Sequence, residues 1–139
     1  MIKVVEILDV NELVKYWPRL LNLAKSETSD INPEQLLQLY LSCLSNGALF
    51  AVRNDTGLCG VCGVKANGDY LLELKVIPND KGTGVAKECI KVIKDWAVEH
   101  DFSSIQVSSS RLNGSAFRYF EKTLGFHRKF VTFELPLTQ

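Results

Sequence analysis

Two glycines and a lysine stand where an apolar run gives way to a helical pattern, in "LKVIPNDKGTGVAKECIKVIKDWA", Leu74 to Ala97. Residues of this kind at a helix start can hold an anion. The first helical turn has backbone N–H groups without intrahelical partners, and the helix dipole adds partial positive charge. Glycines let a phosphate approach that backbone closely. They also serve plain turns, because they tolerate positive φ. Spacing narrows the choice of anion. The nucleoside-triphosphate loop needs Gly-Lys-Ser/Thr opening the helix, but Lys81 precedes Gly82, and Val85 follows Gly84. The dinucleotide fingerprint needs a final Gly or Ala, where this chain has Lys87. No acidic residue closes the next predicted strand to hold a ribose. Both patterns argue against a nucleoside triphosphate and a nicotinamide cofactor.

The other chemistry-bearing residues are sparse. Cys59 and Cys62 form a lone C-x-x-C, with Cys43 and Cys89 elsewhere and single histidines at His100 and His127. A structural zinc site wants a second Cys or His pair at matching spacing. The C-x-x-C lies in "GLCGVCGV", which reads as a strand, so these cysteines are expected as small core residues and no metal is expected. The cluster His127, Arg128, Lys129 reads as an exposed strand end.

The elements that must position the glycine turn follow from periodicity. "KVVEIL" is a first strand, and "DVNE" is a capping box with Asp9 and Glu12. Leu13, Val14, Trp17, Leu20, Leu21 and Ala24 then recur at helical spacing, with Pro18 expected to kink or split that helix. "KSETSDIN" reads as a polar loop, and Pro33 opens a second helix. "ALFAV", "LCGVCGVKA" and "YLLELKVI" form an antiparallel meander whose last hairpin is marked by "NGD". The helix after Gly84 carries Val85, Ala86, Cys89, Ile90, Ile93, Trp96 and Ala97 on one stripe. "SSIQVSS" follows as a strand, giving a βαβ unit and a parallel pair. Asn113 caps a last helix that stops at Gly125, and "FHRKFVTFEL" closes as a strand. The order is β-α-α-β-β-β-α-β-α-β: an α/β chain with a mixed sheet of about six strands and helices on both faces. The glycine turn sits at the carboxyl end of the fourth strand, where open α/β sheets bind ligands.

Length and charge bound the partners. The chain has 139 residues, suited to one domain over 1–139 and enough to bury roughly 70% of its unfolded surface. Sixteen Lys and Arg balance sixteen Asp and Glu, so no nucleic-acid partner is expected. No apolar run spans a membrane. "MIKVVEILDV" reads as a strand and not a signal peptide, and a cytoplasmic location is expected.

With these residues in place, the sequence resembles the GNAT superfamily of acyl-CoA-dependent N-acyltransferases. "VIPNDKGTGVAKECIKVI" is similar to its pyrophosphate loop, with Asn79, Gly82 and Gly84 at the patterned positions and Asn in place of the usual Gln or Arg. "NGSAFRYFEKTLGF" is similar to its last helix and the strand that follows. The resemblance implies acetyl-CoA as cosubstrate, its pyrophosphate held by the backbone of Lys81, Gly82, Thr83, Gly84, Val85 and Ala86. It implies splayed fourth and fifth strands, with the pantetheine arm pairing to Val76 and Ile77 as an added strand would, and Asn113 bonding that arm.

The resemblance also implies direct acetyl transfer to a primary amine. Glu73 is the candidate base, on the strand face opposite Leu72 and Leu74; a solvated carboxylate is its plain alternative. Asp69 and Tyr70 are weaker candidates. Val76 N–H is the candidate oxyanion donor. The family's usual acid is a Tyr at the position of Phe120; here Phe120 would face the cofactor, and Tyr119, one residue earlier, is the candidate acid. Thr123 adds a residue before Gly125 relative to the common form. Glu27 and Asp30 are candidates to attract a cationic amine. Two readings remain open: an N-acetyltransferase acting on a small molecule or a protein, and an acyl-CoA-binding protein with little catalysis and a regulatory or assembly role. Homodimerisation is an option that the resemblance carries.

Overall fold

The computed structural model describes residues 1–78, 82–108, 119–127 and 134–137, with backbone only at Tyr119 and Thr123. The chain divides into two compact units, Met1–Ser108 and Ser109–Gln139.

The first unit is a five-stranded sheet in sequential order. Strands β1 (Lys3–Ile7), β2 (Gly47–Asn54), β3 (Gly57–Asn67) and β4 (Leu71–Val76) pair antiparallel in turn, and β5 (Ser104–Gln106) lies parallel to β4. Helices α1 (Val10–Glu27) and α2 (Pro33–Ser45) join β1 to β2, and α3 (Val85–Glu99) joins β4 to β5. Alternation sorts the core. Ile7, Leu49, Ala51 and Val61 face Leu13 and Leu20 of α1 and Tyr40 and Cys43 of α2. The next residues along the strands, Phe50, Val52, Cys62, Val64 and Leu72, are buried on the other face. The Cys62 and Cys89 thiols are hydrogen-bonded there, which puts α3 on that side.

Local sequence explains the ends. Asp9 accepts from the Glu12 amide at 2.9 Å, and Glu12 reaches back to the Leu8 amide at 2.6 Å. Asn32 accepts from the amides of Glu34 and Gln35 at the start of α2. The expected break at Pro18 does not occur, and α1 is one helix. Pro18 and Val14, whose carbonyl loses its partner, both lie on the exposed face, where water can bond it. The polar stretch after it starts later than the sequence suggests. Lys25, Ser26 and Glu27 stay helical, with Lys25 in the last turn, where a cation suits the dipole.

Strand β5 is shorter than the alternation of "SSIQVSS" predicts: it stops at Gln106, and Val107 and Ser108 lie outside the ladder. In the second unit, Tyr119–Thr123 forms a π-helical turn in place of the expected α-helix. The Phe126 amide bonds to the carbonyl of Phe120 at 2.8 Å, the rings of these two residues meet edge to face, and Gly125 takes a positive φ. A π turn is wider by one residue, which accommodates the extra Thr123. The start of that helix at Asn113 and the core of the expected sixth strand, 128–133, lie outside the described residues.

Candidate active site

The site is built by β4 and the strand that leaves it. β4 and β5 pair only as far as Glu73 opposite Gln106. On its other edge β4 pairs Leu74 with Val64 and Val76 with Gly63, so Lys75 is an extra residue, a β-bulge. A bulge bends its strand and sharpens the local twist, and this one falls where β5 ends. The strands part, and a cleft of about 190 Å³ opens, lined by Glu73, Leu74, Lys75, Gln106 and Ser108.

Glu73 faces this cleft and has partners. Asn67, at the end of β3, donates its side-chain amide to the carboxylate at 2.6 Å, and the Lys75 ammonium stands 2.6 Å from the other oxygen. Lys65 lies directly across from Glu73 in the ladder. Lys75 first, then Asn67, hold the Glu73 carboxyl below the usual carboxylate range. Glu73 and Lys75 are each about one-third exposed, 32% and 35%, so a solute can reach both. An ionised carboxylate open to a cleft binds an ammonium group and can accept its proton.

The glycine turn follows at the same end of β4. Gly82 and Gly84 have φ of 78° and 81°, and among the described residues a Cβ at either would meet nothing within 4 Å. The turn therefore needs the left-handed backbone that glycine supplies. Gly84 caps α3 without a side-chain bond, and the first helical bond runs from the Glu88 amide to the Gly84 carbonyl. The amides of Val85, Ala86 and Lys87 precede that bond and lie outside the helical ladder, at its positive end. The strand's exit toward this turn is held by Pro78, which packs on Gly60; a Cβ at Gly60 would stand 2.9 Å from that ring.

The other predicted residues divide. Val76 ends β4 just past the bulge, with Ile77 after it, both half-buried. Gly82, Thr83, Gly84, Val85 and Ala86 form the turn and helix start. Asn79, Lys81 and Asn113 lie outside the described residues. Tyr119 belongs to the π turn, and Phe120 is half-buried against Phe126. Asp69 and Tyr70 do not line the cleft; the Tyr70 side chain is 70% exposed and its carbonyl instead ties down Ser103 and Ser104 at the start of β5. Glu27 and Asp30 are exposed; burial first, then the Glu27 charge, pushes Tyr40 up to about 12.

Burial pushes the Cys43 thiol up to about 11 and raises Cys59, while Cys62 is raised chiefly by its bond to Cys89. Among the described residues no three His, Cys, Asp or Glu are grouped to hold a metal ion, and no helix is long and apolar enough to cross a membrane.

Lys75, Asn67, Gln106 and Ser108 were not singled out in the sequence. The period-two spacing of Glu73 and Lys75 in "ELK" was a usable signal. Nothing local marks Gln106 or Ser108, which matter only because β5 stops there.

The model of the acetyltransferase (GNAT) family matches residues 17–126. The chain belongs to that family. Its fold is similar to that of the aminoglycoside N-acetyltransferase AAC(6')-Iy in complex with CoA, at TM-score 0.73 and 17% identity, covering 99% of this chain and 96% of that one. It is also similar to ribosomal-protein-alanine N-acetyltransferase from Brucella melitensis, at TM-score 0.66 and 15% identity over 99% and 100% of the two chains. Glucosamine-6-phosphate N-acetyltransferase from Arabidopsis thaliana gives TM-score 0.65 and 12% identity, with 99% of both chains covered. At these identities the likeness concerns the fold. No curated protein sequence matches the chain.

Proposed function

We propose that this chain is an acetyl-CoA-dependent N-acetyltransferase that moves an acetyl group directly to a primary amine of a small molecule or protein. The observation that carries the reading is the cleft at the parting of β4 and β5, with an accessible carboxylate inside it and a left-handed glycine turn beyond the end of β4. The turn and the first amides of α3 suit a pyrophosphate, and the backbone of Val76 and Ile77 suits an extended amide-containing arm. A CoA complex of a protein with the same fold supports that choice. Glu73 holds the acceptor ammonium and takes its proton, since only the neutral amine has a lone pair. Val76 N–H faces the developing oxyanion, and Tyr119 or water returns a proton to the thiolate. The acceptors in the names of fold neighbours are an aminoglycoside, glucosamine-6-phosphate and a ribosomal-protein alanine, so the acceptor here is an open choice among amines.

A second reading is an acyl-CoA-binding protein with little catalysis. The Lys75 and Asn67 contacts favour it, because they make Glu73 a weaker base. Calorimetric titration with acetyl-CoA and with CoA tests the shared premise. One-site binding, lost in Gly84→Trp, supports both readings, and turnover with an aminoglycoside, an amino sugar or an alanyl peptide selects the first. No binding at millimolar ligand overturns both.

A further inference from the structure

Lys75 puts a primary amine where an acceptor would have to be. Its Nζ lies 2.6 Å from the Glu73 carboxylate, both side chains are open to solvent, and both line the cleft between β4 and β5. Lys65, the other lysine beside Glu73, is across the ladder and does not line the cleft. The β-bulge sets Lys75 in this position, since it is the unmatched residue of β4. If the acetyl thioester is presented to this cleft, as the proposed function requires, the amine nearest the base is the protein's own.

We infer that Lys75 is a self-acetylation site, modified from acetyl-CoA when no acceptor occupies the cleft. Glu73 takes one proton from the Lys75 ammonium and releases it to solvent. The Nζ lone pair forms the C–N bond to the acetyl carbon, the C–S bond breaks, and the second proton lost from nitrogen goes to the CoA thiolate. The products are one amide, one thiol and one proton in solution. Acetyl-Lys75 has no charge to pair with Glu73, so the modified cleft offers an external amine a carboxylate oxygen released from its ion pair, with Asn67 still holding the other. The first turnover then prepares the site for later ones.

The inference rests on the acetyl-CoA reading, so binding and labelling are measured side by side. The full chain is incubated with acetyl-CoA and no acceptor, and acetyl occupancy at each lysine is followed by peptide mass spectrometry; CoA binding is titrated on the same preparation. Lys75 should be acetylated about tenfold or more faster than exposed Lys91 and Lys94, as placement beside a base predicts. The rate should not depend on protein concentration, should fall with excess CoA, and should drop about tenfold or more in Glu73→Gln. Bound CoA with Lys75 unmodified, or labelled no faster than Lys91 and Lys94 or equally fast in urea, overturns the inference and leaves the acetyl-CoA reading standing. Absence of CoA binding overturns both.

Discussion

Glu73 meets two opposed requirements. Lys75 and Asn67 favour its ionised form, which suits capture of an ammonium, yet the same contacts lower its affinity for the proton that the proposed base role requires it to accept. A positioned general base typically supplies about 10²–10⁴ in rate. Glu73→Gln should therefore lower kcat by about a hundredfold or more and leave CoA affinity unchanged, as read by steady-state kinetics and calorimetry. The pH dependence has a definite sign. On the proposed mechanism activity needs the ionised carboxylate, and a lowered pKa keeps it ionised to lower pH. While Lys75 is unacetylated, the acid limb of kcat/KM should lie below the usual carboxylate range. In Lys75→Met the cation is gone, the carboxyl pKa rises, and that limb should lie at higher pH than in the unacetylated parent chain. A limb that stays fixed while mass spectrometry shows the parent's Lys75 unmodified would separate Glu73 from catalysis. Alternation along "LLELKVI" was enough to turn Glu73 away from the core. Of its partners, Asn67 was hidden across a hairpin, while period-two spacing marks Lys75 as a neighbour but does not announce the bulge there.

The elements show which local rules survive tertiary context. The positions of α1, α2 and α3, the hairpin at Asn67 to Leu71 and the glycine turn before α3 were legible, since each depends on neighbours in sequence. Three features were not. Pro18 sits in an unbroken helix because its lost bond faces water. β5 ends early because its partner bends away. The turn at Tyr119–Thr123 widens to take one more residue. The close packing of Pro78 on Gly60 belongs to the same scale, because it joins β3 to the chain leaving β4. Gly60→Val would force Cβ and two methyls against a buried ring. Overpacking of this kind costs about 1–3 kcal/mol, so the urea midpoint should fall, and CoA affinity should fall with it as the chain before the glycine turn shifts. Unchanged affinity with lowered stability would detach Pro78 from the site.

At the scale of the whole unit Met1–Ser108, the predicted element order matches the layers, because two-faced burial of β2 and β3 requires helices on both sides. That core and the cleft use different residues. Leu20 is 1% exposed, on α1, among Ile7, Leu13, Tyr40 and Leu49, and lines no part of the β4–β5 cleft. Leu20→Ala should cost about 2–5 kcal/mol of unfolding free energy, from lost burial and the cavity left behind. Ligand stabilisation is set only by affinity for the folded state and by free ligand: about 2.7 kcal/mol at a hundredfold excess over Kd. If scaffold and site are separate, CoA should add the same increment to Leu20→Ala as to the parent chain, each measured by urea unfolding at fixed ligand. An increment that shrinks in the variant would mean that packing on the α1 face reaches the cleft through the sheet, and that the bulge at Lys75 depends on the core behind it.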